Sequence, residues 1–329
     1  MEGVVDFVLR DVLTSIGGID HCVTEFIRVT DKLHSAPVIH RYAPELAMGC
    51  RTRSGTPLFL QFLGGQPGPM AENAAHAAEL GALGIDLNFG CPAKTVNRHD
   101  GGASLLKTPE RIFKIVEAVR SAVPTHIPVT AKMRLGFDDP AVCIANAQAV
   151  EAAGAQWLTV HCRTKTDGYR PPAFWDWIPK IQESVAIPIV ANGEIWTVND
   201  FWNCARQTNC RKIMIGRGAV AQPYLFRQIK DSIAQSQIDS ETDAEIDVET
   251  NSETNSEIDF QFWGKTRGLI PQFFQASADW KSPYFAQART KQWLKALSLQ
   301  NEEAKPLFDE LKLLTNPDLF RTRLENLCL

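Results

Sequence analysis

The stretch that decides the fold runs from Gly84 to Leu135: Gly84-Ile-Asp86-Leu-Asn88-Phe-Gly90-Cys91-Pro92, then Thr108-Pro-Glu-Arg-Ile-Phe-Lys-Ile-Val-Glu-Ala-Val-Arg-Ser-Ala122, then Ile127-Pro-Val129-Thr-Ala-Lys132-Met-Arg134-Leu135. A short apolar run, an amphipathic stretch opened by Thr108 and Pro109, and a second apolar run read as strand, helix and strand. Two strands joined through a helix lie parallel. The same alternation recurs outward, with candidate strands at Cys22–Val29, Pro57–Leu63, Gly84–Gly90, Ile127–Leu135, Trp157–Arg163, Ile187–Ile195 and Lys212–Gly218. Helices are expected over Val5–Leu13, Pro109–Ala122 and Asp139–Ala153, the last ended by Gly154. The expected fold is α/β, a (β/α)8 barrel of the TIM type lacking its first strand, with that strand encoded upstream of Met1, followed by a smaller all-α domain. A doubly wound sheet is the alternative, but no G-x-G-x-x-G follows a first strand.

The chain has 329 residues, a formal charge of −4 and 44% hydrophobic residues. It carries no basic start followed by an apolar stretch and no apolar run of about 20 residues, so a cytoplasmic protein without a membrane partner is expected. Eight scattered cysteines with no C-x-x-C pair speak against a metal site. The charge is uneven. Residues 231–259 hold ten acidic side chains and no Lys or Arg, which leaves the remainder at +6. That segment repeats in fours, from Ile238-Asp-Ser-Glu to Thr254-Asn-Ser-Glu, and reads as a solvated, disordered linker. The expected organisation is a barrel over 1–230, an acidic linker over 231–259, and a helical domain over 260–329 with a net charge of +3.

Strand alternation places Asp86, Asn88 and Gly90 on one face, with Cys91 just beyond in the turn set by Gly90 and Pro92. A cysteine at a strand mouth can donate a proton or attack, or it can be a buried loop thiol. Thr130, Lys132 and Arg134 share a face of their strand, as do Thr159, His161 and Arg163 of theirs. Cationic side chains gathered at one end of neighbouring strands suit an anionic ligand, with a structural salt bridge as the rival reading. Ala191-Asn192-Gly193-Glu194 and Ile215-Gly216-Arg217-Gly218 close the last two strands, where barrels of this type commonly bind phosphate.

These motifs resemble the tRNA-dihydrouridine synthases. The resemblance is carried by Met1-Glu-Gly-Val, Thr24-Glu-Phe, Asn88-Phe-Gly-Cys91-Pro, Lys132-Met-Arg134-Leu-Gly136, Val160-His161-Cys-Arg163-Thr, Asn192-Gly193-Glu194 and Ile215-Gly216-Arg217-Gly218. Gly168-Tyr169-Arg170, Gly193-Glu194-Ile195-Trp196 and Ala288-Arg289-Thr-Lys291-Gln-Trp293 look most like the C-type branch, which acts on uridine 16 of the D-loop. The resemblance implies a flavoprotein with FMN as prosthetic group, NADPH or NADH as electron donor and tRNA as substrate; a monomer is expected. It implies Cys91 as the proton donor. Met1, Glu2, Gln61, Lys132, His161, Asn192, Gly193, Glu194, Gly216 and Arg217 would contact the cofactor. Asn88 would contact uracil, and Arg28, Tyr169, Arg170, Arg289 and Lys291 would orient tRNA. Two rival readings are another FMN barrel reductase acting on a small molecule and a tRNA-binding protein that has lost catalysis. The target uridine must leave its stack to react, so recognition by shape and phosphates is expected.

Overall fold

The computed structural model describes residues 3–241 and 252–328. The strands are β1 (Cys22–Val23), β2 (Ile27–Arg28), β3 (Leu58–Leu63), β4 (Ile85–Asn88), β5 (Val129–Arg134), β6 (Leu158–His161), β7 (Ile189–Asn192) and β8 (Ile213–Met214). All pair in parallel, in the order β1-β3-β4-β5-β6-β7-β8, with β2 also against β3. This is the sheet of a (β/α) barrel with seven strand positions. No pairing joins β8 to β1 among the described residues.

β1 and β2 are two halves of the strand expected over Cys22–Val29. Cys22 and Val23 pair with Leu58 and Phe59, whereas Ile27 and Arg28 pair with Phe62 and Leu63. Three residues, Thr24 to Phe26, therefore face two on β3, which is a bulge. The bulge frees the amide of Gln61 from the ladder, and the Thr24 hydroxyl accepts it at 3.0 Å.

All six residues of β3 and all four of β6 are buried, as expected of parallel strands covered by helices. The helix Pro109–Ala122 buries Ile112, Ile115, Val116 and Val119, a single stripe at helical spacing, and packs on the helix Pro67–Glu79. Thr108 stands at its N-terminus without a side-chain capping bond, so Pro109 and Glu110 start that helix on their own. The helix expected over Asp139–Ala153 begins as a short 3-10 turn, with Asp139 accepting the amide of Ala141 at 2.9 Å, and becomes α-helical over Cys143–Ala152. At the N-terminal ends of the strands the rings of His21, Phe59 and Trp157 lie 5.1 to 5.6 Å apart.

Two compact units divide the chain. The first comprises Asp20–Ile195, Asn199–Ile215 and the residues up to Phe7; the second comprises Val8–Ile19, Trp196–Val198 and Gly216–Leu329. The short helix Arg217–Ala221 thus belongs with the helical unit. There Trp293 is buried, packs edge-on against Phe273 at 5.0 Å, and donates its indole N–H to Val220 O at 3.0 Å. Ser282 caps the helix Pro283–Leu297 by accepting the amide of Phe285 at 3.2 Å.

The acidic segment differs from the expected disordered linker at its two ends. The helix Leu225–Glu241 enters it and the helix Ser252–Trp280 leaves it. Like charges four apart cost a helix only a few tenths of a kcal/mol per pair, about what Arg227–Asp231, at 3.1 Å, can return. Residues 242–251, at the centre of the repeat, lie outside the described residues. Among the described residues no helix is long and apolar enough to cross a membrane, and no group of acidic, His and Cys side chains could hold a metal.

Candidate active site

The site is built in the first unit, from side chains that strand register brings into layers. Gln61 on β3 is level with Asp86 on β4, and Asp86 with Thr130 on β5. Asn88 is level with Lys132, and Lys132 with Thr159. Arg134, His161 and Asn192 form the next layer. The faces read from alternation are the faces observed.

Asp86 is 2% exposed and accepts from Thr130 Oγ1 at 2.6 Å and Gln61 Nε2 at 2.7 Å. Burial pushes its carboxyl above the ordinary carboxylate range, against these two bonds and the charges of Lys132 and His21. Asn88 donates to Gln61 Oε1 at 2.7 Å and accepts the Gly90 amide at 2.9 Å. Lys132 Nζ donates to Asn192 Oδ1 at 2.7 Å, and Asn192 Nδ2 donates to Met214 O at 2.8 Å. Burial, aided by Arg134, holds the Lys132 pKa down to about 8, while Asp86 and the Cys162 thiol pull it up.

Two buried arginines brace the loops beyond the strands. Arg134 donates through Nε to Gly90 O at 2.9 Å and through Nη1 to Thr164 O and Gly168 O at 2.8 Å each. Its side chain therefore ties the turn before Cys91 to the loop carrying Tyr169 and Arg170. Arg163, fully buried, pairs with Glu194 Oε1 at 2.7 Å and donates to Arg170 O at 2.6 Å. Its Nη1 lies 3.4 Å from His161 Nε2. A guanidinium only donates, so that nitrogen accepts and the ring proton sits on Nδ1. Gly193 and Glu194 take φ of +125° and +55°, and the Trp175 indole donates to Gly193 O at 3.0 Å. A Cβ on Gly193 would lie 3.2 Å from both His161 Cδ2 and Ala173 Cβ.

Cys91 is partly buried beyond β4 and packs on Phe26, Leu63 and Val96. Its carbonyl accepts from Asn97 Nδ2 at 3.0 Å and the Ala103 amide at 3.1 Å.

The first unit thus brings together Gln61, Asn88, Lys132, His161, Asn192, Gly193 and Glu194, with Cys91 on the adjoining turn. Arg28 lies on β2, its carbonyl accepting from His34 Nε2 at 2.7 Å. Tyr169 is 53% exposed, with its ring 6.1 Å from that of His161 and 5.2 Å from the Arg134 guanidinium; Arg170 is exposed beside it. In the second unit Gly216 caps the helix that Arg217 opens, and the Arg217 guanidinium lies 5.1 Å from the Trp196 ring. Arg289 is buried, bonded to Gln292 and 6.0 Å from the Phe273 ring, and Lys291 donates to Leu314 O. Met1 and Glu2 lie outside the described residues. Sequence reasoning assigned no role to Trp175 or Asp86. Asp86 could have been found as the one carboxylate on a strand face otherwise lined by amides and cations.

The donor set suits a planar, polar heterocycle bearing an anionic chain. The Thr159 hydroxyl, level with Lys132, is buried without a hydrogen-bond partner among the described residues. Gly193 leaves room beside His161 that a side chain would take.

The model of the dihydrouridine synthase family matches residues 1–316. The chain is 48% identical over 318 residues to the tRNA-dihydrouridine(16) synthase of Pseudomonas syringae pv. tomato, covering 97% of this chain and 94% of that one. It is 44% identical over 325 residues to that of Neisseria meningitidis serogroup A, covering 98% and 91%. It is 55% identical over 239 residues to that of Ralstonia nicotianae, covering 73% of each. Among solved structures, 6-hydroxypseudooxynicotine amine oxidase from Pseudomonas geniculata shares the fold, with a TM-score of 0.51 at 12% identity, over 70% of this chain and 44% of that one.

Proposed function

Because the chain belongs to the dihydrouridine synthase family, we propose that it reduces the C5–C6 double bond of uridine 16 in the D-loop of tRNA. The observation that carries this reading is the set of amides and one ammonium at the strand ends (Gln61, Asn88, Lys132, Asn192), with Cys91 on the turn that Asn88 and Arg134 hold. Relatives bearing that activity in their names span nearly the whole chain, and position 16 is taken from them.

The proposed cofactor is FMN, which when bound supplies a hydride to C6 of uracil, with NADPH or NADH as the source of electrons. Lys132 would place a positive charge against the isoalloxazine, and Gln61 and Asn192 would offer it hydrogen bonds. His161, with its proton on Nδ1, and the Gly193–Glu194 backbone would hold the ribityl-phosphate. Asn88 would hold the uracil edge. The Cys91 thiol would give its proton to C5 and recover one from solvent, which completes reduction of the double bond. Arg28, Tyr169, Arg170 and Lys291 would meet the tRNA backbone, and Arg289 would position the helix that carries Lys291.

The purified protein should show the visible bands of oxidised flavin, as isolated or after addition of FMN, and NADPH or NADH should bleach them. A protein that stays colourless with added FMN would remove the flavin reading.

A further inference from the structure

Asp86 is buried on β4, level with Gln61, one of the residues assigned to the cofactor. Its carboxylate takes two donors, Thr130 Oγ1 and Gln61 Nε2, at 2.6 and 2.7 Å. Gln61 thus turns its nitrogen to Asp86 and its oxygen to Asn88, whose Nδ2 donates to it at 2.7 Å. With its nitrogen turned to Gln61, Asn88 turns its oxygen to the backbone, and it accepts the amide of Gly90 at 2.9 Å. Gly90 is the residue before Cys91, and its carbonyl holds Arg134 Nε at 2.9 Å.

An amide can face either way, because each end satisfies a partner of the opposite kind. A pair of amides such as Gln61 and Asn88 would bond equally well with both reversed. What breaks the symmetry is a group that only accepts, at one end, and a backbone N–H that only donates, at the other. Were both amides reversed, Gly90 N–H would face an NH2 group and Asp86 would face a carbonyl oxygen, two repulsive contacts in a buried site.

We propose that Asp86 is a positioning residue: its carboxylate sets the orientation of the Gln61 and Asn88 amides and, through them, the turn that carries Cys91. The buried acceptor at Asp86 and the Gly90 N–H at the other end set the polarity of the ladder in the same sense. The proposal rests on the synthase reading for what the ladder serves, though not for the ladder itself.

The test compares Asp86→Asn with Thr130→Val in the full chain. Thr130→Val removes a donor to Asp86 and leaves the carboxylate, so the ladder keeps its direction. Asp86→Asn keeps the shape and offers Gln61 either an oxygen or an NH2, so only the Gly90 N–H at the far end still imposes the direction. Side-chain amide 15N–1H signals of Gln61 and Asn88, assigned through Gln61→Glu and Asn88→Asp, report orientation without any turnover. The expected result is one signal set for each residue in wild type and Thr130→Val, and shifted or doubled sets in Asp86→Asn. With unmodified tRNA as substrate, kcat of Asp86→Asn should fall about tenfold or more while KM for tRNA stays within about twofold. Should Asp86→Asn fail to fold, Asn88→Asp serves instead: it sets an acceptor on both sides of Gln61, whose signals must then shift or double. Wild-type amide signals in the variant used, or a fall in kcat as large in Thr130→Val as in Asp86→Asn, would overturn the proposal. A protein with wild-type amide order but no turnover of tRNA would remove the synthase reading and leave the ladder standing.

Discussion

Lys132 on β5 reaches past β6 to donate its ammonium proton to Asn192 Oδ1 on β7, at 2.7 Å. The bond fixes both side chains at the strand ends, and burial lowers the lysine pKa to about 8. The unfolded chain holds that proton up to the ordinary value of 10.5. Between the two values the unfolded state binds more protons, so this residue's contribution to stability rises with pH. Wild type should therefore gain in stability relative to Lys132→Met from pH 8 to pH 10, as read by denaturant unfolding at each pH. A difference that does not change with pH would contradict the lowered pKa.

Cys91→Ala should retain flavin and its reduction by NADPH or NADH, while dihydrouridine formation falls about a hundredfold or more. The two half-reactions separate cleanly in a stopped-flow record. Wild-type turnover would take Cys91 out of the mechanism.

Gly102 holds the other side of the same turn. Its φ is +62°, and a Cβ there would stand 2.8 Å from Cys91 O and 3.1 Å from Cys91 Cβ. Gly102→Ala should cost about 1–2 kcal/mol from backbone strain alone and lower dihydrouridine formation more than it lowers flavin content. Gly81→Ala, where φ is +95° but nothing lies within 4 Å, is the control for strain without contact. Equal losses of activity in the two variants would deny the contact a role.

Glu194 sits at φ +55° with its carboxylate on the fully buried Arg163. Glu194→Ala would leave that guanidinium charge with backbone carbonyls and His161 only, so a loss of about 3 kcal/mol is expected in thermal or denaturant unfolding. Arg163→Met removes the charge as well as the pair and should cost less than Glu194→Ala. The reverse order would count against the buried-charge explanation.

Arg170 and Arg289 divide the cationic residues assigned to tRNA. Arg170 is exposed, so Arg170→Ala should weaken tRNA binding with a shallower salt dependence and leave the melting temperature unchanged. Arg289 is buried near Phe273, so Arg289→Ala should lower the melting temperature first. Titrations at several salt concentrations, set beside melting curves, separate the two.

Most of the frame was legible because strand alternation and helix periodicity state which face is buried. All seven strand positions, and the shared faces of Asn88, Lys132 and His161, follow from that. The bulge at Thr24–Phe26 was not legible, because an extra residue leaves no mark on a strand that is apolar at both ends. The helices running into the acidic segment were missed because the repulsion counted against them is small. The buried position of Arg289 was hidden too, since composition counts a charge without saying where its stem packs. Trp175 and Asp86 act through groups distant in sequence, Gly193 O and the Gln61 amide, and only register brings these together.

The measurement that tests the central claim most directly is position-resolved mass analysis of an unmodified tRNA incubated with the protein, FMN and NADPH. The expected result is a gain of two hydrogens at uridine 16 and at no other uridine, lost in Cys91→Ala. A flavin-loaded, reducible protein that leaves uridine 16 unchanged would contradict it.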